Sequence, residues 1–261
     1  LISGSFDRIE VLKGAQSSIY GSGALAGTVQ LFSKRGREGH NKDVSIYTGS
    51  FNTKKVDLSF DGKENNYDYF IGFTNFSTVG ESAMRDNKEE DGYRNDSLTI
   101  NYGYNINDSF RLENYLYYND SFLEYDSVNK SQNDIEFSDD QQAIYTARLI
   151  NTNGNFKNTI SYNNTYVLRN TTGNDKKNYY GYRDAINLIS EYNFNLDNRI
   201  ILGLDNEFDK AELYNYYTAS SYTESDEAIY SQYFDLQLRP KKDTYTTFGL
   251  RRDYHTTAKD Y

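Results

Sequence analysis

The residue types that commonly do chemistry are present in this sequence but poorly placed to cooperate. The two histidines, His40 and His255, are far apart and have no neighbours at metal-ligand spacing, so both read as solvated loop side chains. No serine stands in a Gly-x-Ser-x-Gly elbow, and the absence of cysteine removes a thiol nucleophile, a thiolate metal site and a disulfide framework. Gly21-x-Gly23-x-x-x-Gly27 has the wrong spacing for a dinucleotide fingerprint, and no Gly-Lys-Ser/Thr follows to cradle a phosphate. Binding therefore fits the sequence better than catalysis.

Two patterns suit binding. Asp86, Glu89, Glu90 and Asp91 crowd one polar segment, where hard oxygen ligands on a loop can hold calcium, which accepts about six to eight oxygens in tolerant geometry. Their spacing matches no defined calcium loop, and a charge run is more often simply solvated. Tyr179, Tyr180, Tyr182, Tyr214, Tyr216, Tyr217 and Tyr222 lie in or near long connections. Aromatic rings with polar tips suit a ligand that is part apolar and part hydrogen-bonding, and equally suit the aromatic girdle of a membrane barrel. Position within the loop favours Tyr216, Tyr217 and Tyr222 as substrate-binding candidates and girdle roles for the others.

The elements that would position these residues are strands. There are 27 Tyr and 15 Phe among 261 residues, with one Pro and no Trp, while mean hydropathy is only -0.85. That combination is expected when each strand shows one face to an apolar medium and the other to water. A net charge of -10 argues against a nucleic-acid partner, which needs a concentrated basic face. No run approaches the roughly 20 apolar residues of a spanning helix, and no secretory leader opens the sequence, so a membrane role must come from strands.

Organisation changes near residue 40. Residues 1–40 are glycine-rich, with a strand at 8–12, a turn at Gly14, a short helix at 16–20 and a second strand at 27–33. Residues 41–261 alternate apolar and polar positions in eleven segments, near 43–50, 53–61, 66–78, 93–106, 110–121, 142–151, 156–168, 183–194, 198–209, 228–239 and 244–254. Leu98, Ile100, Tyr102 and Tyr104 oppose Thr99, Asn101 and Gly103, for example, and Phe234, Leu236 and Leu238 oppose Asp235, Gln237 and Arg239. Ile201 breaks the polar face of its strand. After the first hairpin, tight turns near 61–65, 107–108, 153–154, 196–198 and 240–243 alternate with longer polar connections at 80–92, 122–141, 169–182 and 210–227. Short turns at one rim and long loops at the other are the outer-membrane barrel pattern.

The stretch from Asp7 to Gly36, DRIEVLKGAQSSIYGSGALAGTVQLFSKRG, resembles the end of the plug domain in TonB-dependent outer-membrane transporters. It departs from that pattern at Ala15, Ala26, Gln30 and Ser33. The matching positions are Arg8, Glu10, Gly14, Ser17, Tyr20, Gly21, Gly23, Gly27 and Lys34. Gly14 and Gly21 sit where the chain must turn into and out of a helix, and glycine accepts the positive φ such turns use. Gly23 and Gly27 are expected to allow close backbone approach against the inner barrel wall, and Arg8 and Glu10 to pair with that wall.

The resemblance implies an all-β fold: an antiparallel transmembrane β-barrel of which about 11 of 22 strands are present, preceded by the end of a small α+β plug. Beyond the motif, the sequence looks like the smaller cobalamin and siderophore receptors. Implied function is energy-coupled import of a scarce nutrient across the bacterial outer membrane, with outer-membrane lipid, a small-molecule nutrient and TonB as partners. Leader, TonB-contacting box, most of the plug and the closing strands lie outside the sequence, which reads as a fragment, and an open sheet in lipid is not expected to form a pore alone. A surface-binding barrel without transport and a soluble secreted β-protein are the alternatives.

Overall fold

A computed structural model describes residues 6–14, 17–21, 23–82, 90–126, 135–172, 176–216 and 221–256. A two-stranded hairpin comes first, β1 (Phe6–Lys13) and β2 (Gly27–Ser33), with the single-turn helix α1 (Ser17–Tyr20) between them. Eleven strands follow in one antiparallel sheet whose spatial order is the chain order. They are β3 (Gly39–Gly49), β4 (Thr53–Glu64), β5 (Tyr67–Thr78), β6 (Tyr93–Asn105), β7 (Phe110–Asp126), β8 (Ile135–Asn153), β9 (Phe156–Thr171), β10 (Lys177–Asn193), β11 (Arg199–Asn215), β12 (Ser221–Lys241) and β13 (Thr244–His255). Among the described residues the sheet is a partial, open barrel wall with β3 and β13 at its edges.

The alternation in sequence sets the two faces of the wall. Side chains of a strand point alternately to opposite sides, and the register carries one phase across every strand. Asn101, Glu113, Arg148, Ser161, Asn187, Asp205, Ser231 and Asp253 follow one another as neighbours or near neighbours on the face toward the hairpin and α1. The opposite face carries Val44, Ile46, Ile71, Phe73, Ile160, Ile186, Leu188, Leu202, Leu204, Phe248 and Leu250, all exposed.

This is the reverse of a water-soluble β-protein. Among the described residues only five hydrophobic side chains are buried, whereas fourteen polar or charged ones are. A soluble sheet would lose the hydrophobic contribution of about 25 cal/mol per Å² on every outward Leu and Ile. In hydrocarbon that face is solvated, the backbone is satisfied between strands, and polar groups turn inward.

The strands run longer than alternation predicted. The polar stretches expected as loops at 122–141, 169–182 and 210–227 are largely ladder, and β12 alone covers Ser221–Lys241. Past the bilayer both faces meet water, so the apolar/polar cue disappears while backbone pairing continues. Cross-strand ion pairs accompany the extension: Arg169 to Asp140 at 2.9 Å, Arg183 to Asp209 at 2.6 Å and Lys210 to Glu224 at 2.9 Å. Connections at that rim are correspondingly shorter: 172–176 is no longer than 194–198 on the other rim, so the strict short–long alternation does not hold.

Candidate functional site

The hairpin and α1 lie against the inner face of the wall, as a stopper seated on it. Their own shape follows from glycine. Gly14 (φ 98°) and Gly21 (φ 84°) turn the chain on either side of α1, as expected, in a region that L side chains rarely adopt. Gly27 (φ 147°) lies so close to the Leu12 carbonyl that a Cβ would collide with it. Its close approach is therefore within the β1–β2 pair. A Cβ at Gly23 would meet open space. Neither glycine packs on the wall, contrary to the sequence expectation.

Two clusters fasten the stopper. At the end of β2, Arg35 reaches Glu113 on β7 at 2.6 Å, and Asn101 on β6 donates to the Ser33 hydroxyl and the Lys34 carbonyl, both at 2.9 Å. Glu113 also receives Arg111 at 2.9 Å and Arg148 at 3.4 Å, so three guanidinium groups converge on one nearly buried carboxylate. Arg111 continues to Asp68 at 2.5 Å, passing over Gly103, where a Cβ would occupy its path. Between the hairpin and the wall is a cavity of about 670 Å³, bounded by Phe32 and Arg35 on one side and Tyr115, Tyr117, Ile144 and Arg148 on the other.

At α1 the Ser18 hydroxyl donates to Asp235 on β12 at 2.9 Å, and Arg251 on β13 donates to the Ile19 carbonyl at 3.4 Å. Arg251 is held by Asp205 at 3.1 Å and Asp253 at 2.7 Å, with its guanidinium 5.2 Å from the Tyr233 ring centre. Gly249 lies beneath Ser18, and a Cβ there would overlap that side chain. A hydrogen-bonded ladder runs from this seat along the inner wall: Thr146 to Asn163 at 2.9 Å, Asn163 to Asn187 at 2.8 Å, and Asn187 to Asp205 at 2.9 Å.

The segment joining stopper to wall is pinned as well. Arg37 donates its backbone N–H to Asp61 at 2.8 Å and its side chain to Asp61 and Asp43. These hydrogen bonds, Asp61 first, raise the Arg37 pKa above its ordinary value. Asp61 is only 2% exposed, so its charge depends on that partner.

The structure redistributes the sequence candidates. Arg8 and Glu10 pair with each other at 2.7 Å, and Arg8 covers the Phe32 ring at 3.7 Å, so the expected contact with the wall is made elsewhere, by Arg35. Two residues apart on one extended strand, the pair meets its opposite charge on the hairpin itself. Tyr20 accepts a hydrogen bond from Gln30, Lys34 lies 5.9 Å from the Phe70 ring centre, and the Ser17 hydroxyl is buried without a described partner.

Tyr216 packs with Lys176 at 5.1 Å. Tyr222 sits within β12 rather than a loop, beside Tyr214 at 4.6 Å, and shares the outward phase of Tyr230 and Phe234. It therefore faces away from the inner surface of the wall. Glu90 and Asp91 fall in the connection 79–92, and among the described residues no three metal-ligating side chains converge. Tyr217, Asp86 and Glu89 lie outside the described residues. Ser18, Asn101, Glu113, Asp235, Gly249 and Arg251 were not singled out from sequence as contacts. Strand phase offered a signal for the five on the wall, since all five occupy inward positions, but phase alone does not say which of them meets the stopper.

A polar-faced wall with an apolar exterior and a glycine-turned stopper on its inside is the architecture of a plugged outer-membrane β-barrel. No family model matches the sequence. Solved structures do. The pyoverdine outer membrane receptor FpvA of Pseudomonas aeruginosa PAO1 superposes with a TM-score of 0.79 at 15% identity, over 98% of this chain and 46% of that one. The alcaligin outer membrane receptor FauA of Bordetella pertussis gives 0.77 at 14%, over 98% and 45%. The ferric yersiniabactin uptake receptor FyuA of Yersinia pestis gives 0.79 at 12%, over 96% and 44%. In fold, then, this chain is similar to part of these outer-membrane receptors, and it spans less than half the length of those structures.

Proposed function

We propose that the protein to which these residues belong imports an iron–siderophore complex across the bacterial outer membrane, driven by TonB acting on the plug. The observation that carries this reading is the pairing of a lipid-facing exterior with a stopper fastened to the inner wall by few polar contacts: Arg35 to Glu113, Asn101 to Ser33 and Lys34, and Ser18 to Asp235. Such contacts hold in the resting state and are replaceable by water, unlike a packed apolar seam. A polar inner surface, including the Thr146–Asn163–Asn187–Asp205 ladder, gives a hydrated chelate hydrogen-bonding partners along its path. No covalent step is required.

The test is deletion of the complete gene in its host under iron limitation, followed by uptake of radioactive iron presented as siderophore complexes. Loss of uptake of at least one complex, restored by the intact gene and abolished by dissipating the proton gradient, is the expected result. Undiminished uptake of every complex the host uses would overturn the proposal.

A further inference from the structure

Above the stopper the inner wall continues to the far rim, and its charge there is uneven. Strands β6 to β12 each have both neighbours in the sheet, so their inward side chains are set among lateral partners on either side. On β6 and β7 every second residue over 93–99 and 117–125 points inward, and these are only Tyr, Asn, Ser, Thr and Leu. On β8 to β12 the inward positions toward the same rim carry the carboxylates Glu136, Asp140, Glu207, Asp209 and Glu227 against the cations Arg169, Lys177 and Arg183. Carboxylates are in excess.

Both arginines are already neutralised from within the wall. Asp140 receives Arg169 in a fork, at 2.9 and 3.2 Å. Asp209 receives Arg183 in a second, at 2.6 Å to each oxygen, and Glu207 lies 3.8 Å from the same guanidinium. A bidentate carboxylate fills the planar fork that could otherwise take an anionic ligand. Lys177 has a partner too. On the uncharged side acceptors are again in surplus: Asn95, 3% exposed, donates its amide to Asn119, and its Oδ1 is buried with no described partner.

A lumen lined in this way repels anions and offers oxygen to donors, because like charges around a confined space add their fields. A ferric triscatecholate is a trianion and finds no open guanidinium on this part of the wall. A ferric trihydroxamate is neutral, its three oxyanions balancing the iron, and becomes a cation when it carries an amine arm. We propose that the chelate taken by this receptor has no net negative charge and is a ferric trihydroxamate, neutral or cationic, held over Asp140, Asp209 and Glu227. The inference rests on the import reading and specifies its substrate.

The test uses the complete receptor in its own outer membrane, expressed in the host deleted for the chromosomal copy. Radioactive iron is given to de-energised cells in three forms: a linear trihydroxamate with a free amine, the same chelate with that amine succinylated, and a triscatecholate. Binding above the deletion strain is titrated. The amine form is expected to bind at least about tenfold more tightly than the succinylated one, as like-charge repulsion in a confined space requires, and the triscatecholate not to bind. The double variant Asp140→Asn/Asp209→Asn, which opens both guanidinium forks, should narrow that ratio at least about threefold, chiefly by tightening the anion. Immunoblots of outer membranes confirm equal amounts of each receptor. An anionic form bound as tightly as the amine form, or no binding of the trihydroxamate, would overturn the substrate class, and so would a ratio unchanged in the variant, since size rather than charge would then discriminate. Receptor-dependent uptake of any other iron complex by energised cells would leave the import reading intact. Uptake of every complex unaffected by deleting the gene would sink both.

Discussion

The inner and outer faces of the wall are written into the same strands, one residue apart, yet they are stabilised by opposite chemistries. Inside, carboxylates and amides are buried among partners: Glu113 beneath three arginines, Asp235 between Ser18 and Gln237, Asn187 between Asn163 and Asp205. Outside, Leu and Ile stand exposed, with none of the described residues covering them. The inner face is therefore specified pair by pair, because a buried polar group costs dearly without its partner. The outer face is specified only by hydrophobicity, and one branched side chain there can replace another. Specific contacts therefore concentrate on the inner face, and interchangeable apolar side chains on the outer one.

The sharpest way to break this comparison is to put the same charge on each side. Leu202→Arg, outward and one row nearer the 242–243 turn than Arg252, is expected to destabilise the folded wall by about 2–4 kcal/mol, whereas Val167→Arg, inward beside Gly181, should be close to neutral. Urea unfolding of the full-length protein in lipid vesicles measures both, and equal costs would show that the faces are not what they are taken to be.

A smaller effect is expected at the stopper's seat. Gly249→Val overfills the space under Ser18, at a cost of about 1–2 kcal/mol, and should lift α1 while leaving the ladder of β3 to β13 unchanged. Amide exchange across residues 17–21 would rise, with no matching rise in β12. Unchanged exchange in α1 would mean that Gly249 does not set its height.

The smallest effect concerns charge above the bilayer. Glu224 is hydrogen-bonded by Lys210 and Tyr222, in that order of influence, and its pKa is lowered. A carboxylate depressed in the folded state stabilises above its unfolded pKa, and the contribution is lost as pH falls through the folded value. Amides of 210–215 and 221–226 should therefore exchange faster in acid than near neutrality, beyond the intrinsic pH dependence of exchange, and Glu224→Gln should remove that difference. An identical pH response in wild type and variant would assign the strand extension to backbone pairing alone.

Much of this architecture was legible before the structure. Period-two alternation located every wall strand, because the boundary between oil and water is a one-residue signal in β-structure, and the glycine-rich motif located the hairpin and the turns at Gly14 and Gly21. The upper strand ends were invisible, since beyond the bilayer both faces are polar and the alternation of Arg169, Arg183 and Lys210 with their neighbours resembles a loop. The plug contacts were misassigned for a different reason. Arg8, Glu10 and Arg35 look alike as charges in sequence, and only three-dimensional placement shows that the first two meet each other while Arg35 meets Glu113. Gly249 gave no sign of its role, because it needs space rather than an unusual φ.

Arg251 and Arg252 also carry a lesson about what changes of length this chain can accept. Identical and adjacent, they serve opposite surroundings only because the count of residues from the 242–243 turn is fixed. Insertion of one residue into β13 would exchange them and invert every side chain beyond it, whereas insertion of two would preserve the phase. Lineages of such walls should therefore gain and lose residues freely at the rims, and within strands mainly in even numbers or where a bulge absorbs the odd one.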